Sequence, residues 1–242
     1  MLQDMSTAPD TAEGIRARTR RELVAAIKAA AHRQLATSGA AGLSLRAIAR
    51  DLHMASSALY RYFASRDDLL TALVIDAYND LGEAAETALA RHAKQPPLAR
   101  WVAVCRSARR WALAHPHAYA LIYGTPVPGY HAPANTVAPA SRVGLALAAV
   151  VADAGRSGLL GAPTGTIPES LGRDADRLAA ELGVDLPREV VAGLVAAWSQ
   201  LFGLVSFELF GQFENMISAR GQFFDRAVER LAESIGFAVP AP

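Results

Sequence analysis

Apolar residues recur along this chain at the three- and four-residue spacing of helices. Leu23, Ile27, Ala30, Ala31 and Leu35 line one face of a first helix, and Gly39 stands where that helix should stop. Ser44 is placed to cap a short helix whose stripe is Leu45, Ile48, Ala49 and Leu52. After His53-Met54-Ala55 a second short helix is predicted over 56–63. Ser65-Arg66-Asp67-Asp68 then has the form of a capping box. It opens a long helix with the stripe Leu69, Leu70, Leu73, Val74, Ala77, Tyr78 and Leu81, which runs on to Pro96-Pro97.

Beyond the proline pair, 98–114 is predicted helical, with a break before Pro116 because a residue preceding proline is pushed out of the helical region. A short helix follows from Pro116 to Gly124. Four prolines make 125–139 an irregular loop, and 155–168 is a second one, rich in glycine and proline. Helices are predicted over 141–154, 170–182, 187–213 and 222–235. No strand pattern or internal repeat is visible. The expectation is an all-α fold of about nine to ten helices. A disordered tail (1–15) would precede a three-helix head (16–65) and a larger helical body (66–242).

Composition narrows the class. The chain has 242 residues, 52% hydrophobic and 19% charged, too apolar for a disordered protein. Its longest apolar runs, such as 143–152 and 201–207, fall short of the ~20 residues of a membrane span. No secretory signal opens the chain, so a cytoplasmic protein with no membrane partner is expected. Cys105 is the single cysteine and cannot form an internal disulfide. No Cys/His spacing suggests zinc, and His115, His117 and His131 lack a carboxylate or thiol to complete a metal site. No metal or cofactor is expected. The net charge of +1 hides an asymmetry: residues 1–66 hold ten Lys/Arg against five Asp/Glu, and the rest is net acidic. A basic front points to a polyanionic partner.

That front also carries a constellation suited to reading DNA. Residues 44–63 have the proportions of a helix-turn-helix. Ala55, Ser56, Ser57 and Ala58 keep the start of the second helix small enough to approach a groove, and Tyr60, Arg61 and Tyr62 supply reach. Arg61 is the one charged side chain there, and arginine pairs well with guanine O6 and N7. Ser44 and Arg66 lie at helix N-termini, where hydroxyl, backbone N–H and cation can seat a phosphate. Arg16, Arg18, Arg20 and Arg21 form either an arm along the DNA backbone or a solvated start.

The run from Leu43 to Arg50, including Ser44 and Arg46, followed by Met54-Ala55-Ser56-Ser57-Ala58-Leu59-Tyr60-Arg61-Tyr62-Phe63-Ala64-Ser65-Arg66, resembles the TetR family of bacterial repressors. The resemblance covers about 18–75. It implies phosphate anchors at Ser44 and Arg66, and a groove-facing helix carrying Ser56, Ser57, Ala58, Tyr60, Arg61 and Tyr62. One departure is Ala55, where a capping Ser or Thr is common; Ser56 or Ser57 would have to cap instead.

In the body, Trp111-x-x-x-His115-Pro116 and Trp198-x-x-x-Phe202-Gly203 resemble the WHG-type subgroup of TetR C-terminal domains, with Phe202 in place of the histidine. Trp101, Trp111, His115, Tyr119, Tyr123, Trp198 and Phe202 are candidates to line a pocket, with His117 and Tyr130 nearby. Bulky rings at helical spacing are more often plain core than pocket. Such a pocket would suit an apolar or aromatic effector with few polar handles. Glu208 faces a ligand, a partner subunit or solvent. The segment 187–213 is apolar almost all round and so needs cover on both sides. Val191, Leu194 and Phe210, with Phe224, Val228 and Leu231 from the last helix, are the candidate homodimer interface.

The reading that joins these features is a ligand-responsive regulator, a repressor binding a palindromic double-stranded DNA operator as a homodimer and released by a small-molecule effector. An effector-independent DNA-binding dimer is the alternative. An enzyme is disfavoured, because no nucleophile–base pair, phosphate loop or converging carboxylates are present.

Overall fold

Ten α-helices make up the fold among the described residues of the computed structural model, 12–161 and 165–238. The chain divides into two units, the first comprising the described residues up to Leu73 together with Val127–Tyr130.

In the first unit, α1 (Ala12–Ser38), α2 (Leu45–Asp51), α3 (Ser56–Leu59) and the opening turns of α4 (Arg66–Arg91) enclose a small core. Residues 12–15, expected in the tail, are the first turn of α1; the remainder of that tail lies outside the described residues. Ile27, Ala31, Ile48, Ala49, Leu59, Leu69 and Leu70 are fully buried, as the stripes require. Ser44 caps α2, its Oγ accepting from the Ala47 N–H at 3.3 Å. Ser65 does the same for α4, accepting from the Asp68 N–H at 3.0 Å. Between α2 and α3 the chain reverses in a Schellman pattern: the Met54 N–H bonds the Ala49 carbonyl and the His53 N–H that of Arg50. His53 holds the left-handed position at φ 52, where glycine usually sits.

Helix α3 is shorter than the predicted 56–63. Ala55 at its N-cap offers no side-chain acceptor. Bonds from Arg61 N–H to Ala58 and from Tyr62 N–H to Leu59 then tighten the chain into a turn after Leu59.

The second unit holds the rest of α4 with α5 (Pro97–Ala114), α6 (Pro116–Tyr123), α7 (Val137–Arg156), α8 (Glu169–Leu182), α9 (Arg188–Leu209) and α10 (Arg220–Ile235). Helix α7 begins before the predicted residue 141. Pro139 falls in its first turn, where a missing N–H costs nothing. One core runs through α5, α7, α9 and α10, with Trp101, Leu147, Val151, Leu201, Val205 and Val228 fully buried. The Trp101 indole donates to the Val228 carbonyl at 2.9 Å, so this large side chain is buried with its one polar atom satisfied. By length and composition α7 and α9 are apolar enough to cross a membrane, although neither contains an uninterrupted apolar run of that length. Here their apolar stripes are packed into the protein core. After α10, Gly236 at φ 111 turns the chain so that the Gly161 N–H bonds its carbonyl at 2.7 Å, beside an isolated bridge between Leu160 and Phe237.

Candidate functional site

Around α3 the polar residues singled out above point away from the core. Ser56 and Ser57 are exposed, Ala58 is half-buried, and Tyr60 and Arg61 are exposed in the turn that ends the helix. Arg46 is exposed on α2. Tyr62 is half-buried, and the Arg20 guanidinium lies 5.2 Å from its ring centre. This cation–π contact ties α1 to the reading turn, worth about 0.5–1 kcal/mol at such an exposed site. Arg16, Arg18, Arg20 and Arg21 are exposed on α1 itself, so they do not form an unstructured start. Arg18 stands 4.0 Å from Glu22.

Two of the expected anchors are otherwise engaged. The Ser44 hydroxyl accepts the capping bond, and its backbone N–H donates to Gln34 Oε1 at 3.0 Å. Nothing in the periodicity of α1 marks Gln34 for this role. Arg66 turns inward: Nη2 donates to the carbonyls of Ala40 (2.8 Å) and Ala41 (3.3 Å), and Nε to that of Leu43 (3.2 Å). These bonds hold the 3-10 turn Ala40–Gly42 that sets the entry to α2 and engage two of the three guanidinium nitrogens expected to anchor a phosphate.

In the body the candidate pocket separates into two parts. Trp101 and Tyr119 are fully buried core. The Tyr119 hydroxyl donates to the Phe202 carbonyl at 3.0 Å and lies 2.8 Å from Ser206 Oγ. Tyr123 stacks on Phe202 with ring centres 4.2 Å apart, and Trp198 meets Phe202 edge-on. These rings pack on one another. Burial pushes the Tyr119 phenol up to about 12 against the opposing pull of Ser206, and burial first of all pushes Tyr123 up as well. Trp111 and His115, by contrast, border a cavity of about 530 Å³ between α4 and α5. Tyr130 belongs to the first unit, where its hydroxyl lies 3.0 Å from that of Thr71. Among the described residues no group of three or more His, Cys, Asp or Glu could hold a metal. Cys105 is buried, and desolvation pushes its thiol up.

The candidate dimer residues need correction. Val191, Leu194, Phe224 and Val228 are buried within the chain's own core and cannot meet a second copy; Leu231 is also buried but borders the groove beside Phe207 and Phe223, and Phe210 is exposed. The sequence pattern could not tell which side of an all-apolar helix its own chain would cover. The open side of α9 carries Ala196, Ser199, Gln200, Gly203 and Phe207, and Phe223 of α10 is exposed beside it. Phe207, Phe213 and Phe223 form an edge-to-face ladder along a groove of about 540 Å³. Glu208 faces neither ligand nor solvent. It is buried and accepts two bonds from Arg109, at 2.7 and 2.6 Å, while the Arg109 guanidinium lies 5.4 Å from the Phe224 ring centre.

Comparison with known proteins agrees with this geometry. Residues 27–73 match the model for bacterial regulatory proteins of the tetR family, and 101–231 match that for the tetracyclin repressor-like C-terminal domain. HTH-type transcriptional regulators of Mycobacterium tuberculosis and Mycobacterium bovis are 39% identical over 214 residues, covering 88% of this chain and 92% of theirs. The crystal structure of the regulatory protein SCO4313 superposes with a TM-score of 0.73 at 35% identity, covering 90% of this chain and 98% of that one. These relatives are regulators rather than enzymes. With a helix-turn-helix head whose polar residues face outward and an all-helical body, this chain belongs to the TetR family of DNA-binding transcriptional regulators.

Proposed function

We propose that this regulator is a cytoplasmic repressor that binds a palindromic operator as a homodimer and is released by a small-molecule effector. The observation that carries the DNA-reading part is the outward set of Arg46, Ser56, Ser57, Tyr60 and Arg61 on a head whose apolar side is fully buried. Two such heads on a two-fold axis would read successive major grooves. The groove beside Phe207 and Phe223, with its small-residue stripe on α9, supports pairing with a second copy. In the aromatic cluster first expected to receive an apolar effector, Tyr119, Tyr123, Trp198 and Phe202 pack on one another. The effector is therefore assigned to the cavity beside Trp111 and His115.

Binding of purified protein to DNA from its own promoter region, against a shuffled duplex at two salt concentrations, tests the reading. Preference for the promoter DNA that survives at the higher salt supports it, and equal affinity for both duplexes refutes it. The alternative, a DNA-binding dimer with no effector, is favoured by the mutual packing of these rings. It predicts that no metabolite fraction raises the melting temperature.

A further inference from the structure

Helix α1 carries its inner face beyond the core of the reading head. Counted back in steps of three and four, that face runs from Ala31 and Ile27, fully buried, through Val24 and Leu23, half-buried, to Arg20, which is exposed. The first residue past the edge of the core is thus an arginine. It meets the ring of Tyr62, with the guanidinium 5.2 Å from the ring centre.

Tyr62 is itself firmly placed. Its backbone N–H bonds the Leu59 carbonyl at 2.9 Å, and Leu59 is fully buried. Phe63, the next residue, donates to the same carbonyl and is buried in the core of the head. Arg61, the side chain assigned to base reading, precedes Tyr62 in this turn and is exposed. The family resemblance places Tyr62 on the groove-facing surface; in the fold its ring carries Arg20. A residue of α1 is therefore held beside the reading turn, although all of α2 and α3 separate the two along the chain.

The chemistry of this pair differs from that of the ion pairs around it. Arg18 has Glu22 at 4.0 Å and Arg33 has Asp51 at 2.6 Å, so a carboxylate answers each of those charges. An aromatic face attracts a cation through its quadrupole and leaves the charge whole. A guanidinium seated on a ring also keeps N–H donors at its edge, where their fork matches phosphate oxygens. Ordering the side chain before DNA arrives reduces the entropy lost when such a contact forms.

We infer that Arg20 binds a backbone phosphate of duplex DNA beside the bases read by Arg61, with Tyr62 as the platform that holds it. The inference rests on the reading of α3 and its closing turn as the DNA-facing surface of the head. It needs neither a palindromic operator nor an effector.

The test is titration of the full chain onto its own promoter duplex and onto a shuffled duplex, each at several salt concentrations. A phosphate contact carries no sequence information. Arg20→Ala should therefore weaken binding to both duplexes by about tenfold at low salt, and reduce the slope of affinity against salt by about one unit per head. Arg20→Lys keeps the charge and should keep the slope. Arg18→Ala, on another face of α1 and already paired with Glu22, should leave the slope unchanged. Tyr62→Phe keeps the platform and should bind as the wild type does. Tyr62→Leu removes it, and should weaken binding in the wild-type background but not in the Arg20→Ala background. An unchanged slope in Arg20→Ala overturns the inference. Equal losses from Tyr62→Phe and Tyr62→Leu, or additive losses from Tyr62→Leu and Arg20→Ala, overturn the platform. Melting without DNA confirms that each variant is folded; if Tyr62→Leu is not, Tyr62→Phe and the Arg20 variants decide. Equal wild-type affinity for the two duplexes would defeat the operator reading, while the Arg20→Ala slope still decides the phosphate contact.

Discussion

Arg66 Nη2 lies 2.8 Å from the carbonyl oxygen of Ala40, twenty-six residues earlier, so the first residue of α4 fastens the turn that leads into α2. Arg66→Ala should lower stability by about 1–2 kcal/mol, on the scale of hydrogen bonds from a charged donor. It should weaken DNA binding at every sequence without changing the slope of affinity against salt. A phosphate contact would instead reduce that slope by about one unit. Titrating the variant on operator DNA at several salt concentrations separates the two roles.

Arg61 is exposed in the turn that ends α3, and its side chain makes no hydrogen bond or ion pair to another described residue. Arg61→Ala should relax preference at one base pair of each half-site, by about 1–3 kcal/mol. Arg46→Ala should weaken all sequences alike. A panel of single-base operator variants bound by each protein reads this out, and an unchanged preference in the Arg61 variant removes it from base reading.

Glu208 is buried and accepts both of its bonds from Arg109. These bonds are also the main reason the Arg109 guanidinium holds its proton beyond its usual range. Glu208→Ala should cost about 3–5 kcal/mol, because it strands a part-buried cation against Phe224. Replacing Arg109 and Glu208 together by apolar residues should recover part of that loss. Urea unfolding of the two single variants and the double variant measures the coupling.

Phe207→Asp should give a folded monomer that no longer binds operator, since it puts a carboxylate on the exposed ring ladder. Leu231→Asp should instead unfold the chain, because Leu231 is buried in its own core. Sedimentation and circular dichroism distinguish the outcomes. A Phe207→Asp protein that sediments as a dimer would rule out this face as the interface.

Burial raises the Tyr119 phenol to about 12, above the usual value near 10 that it regains on unfolding. The neutral form is the one the fold prefers. Its contribution is complete below pH 10 and is lost as pH rises from there toward 12, because the unfolded chain ionises first. Alkaline melting should show this loss, and Tyr119→Phe should flatten it. The same substitution costs about 1 kcal/mol at neutral pH by removing the bond to Phe202.

Helix positions and the reading head were legible in the residues, because a stripe at 3.6-residue spacing needs only one buried side and caps act within a single turn. Ser44, Ser65 and the 27–35 stripe are local features of that kind, and the Arg61 neighbourhood followed from a motif contained in twenty residues. Contacts decided by distant segments were not legible. Arg66 looks the same in sequence whether it faces a phosphate or the Ala40 carbonyl, and Glu208 does not announce Arg109 ninety-nine residues away. The apolar circumference of α9 likewise gave no sign of which side α8 and α10 would cover. Local periodicity determined the elements. Only the tertiary fold decided which apolar faces were consumed and which charges found partners, because burial and pairing depend on what else arrives at the same place.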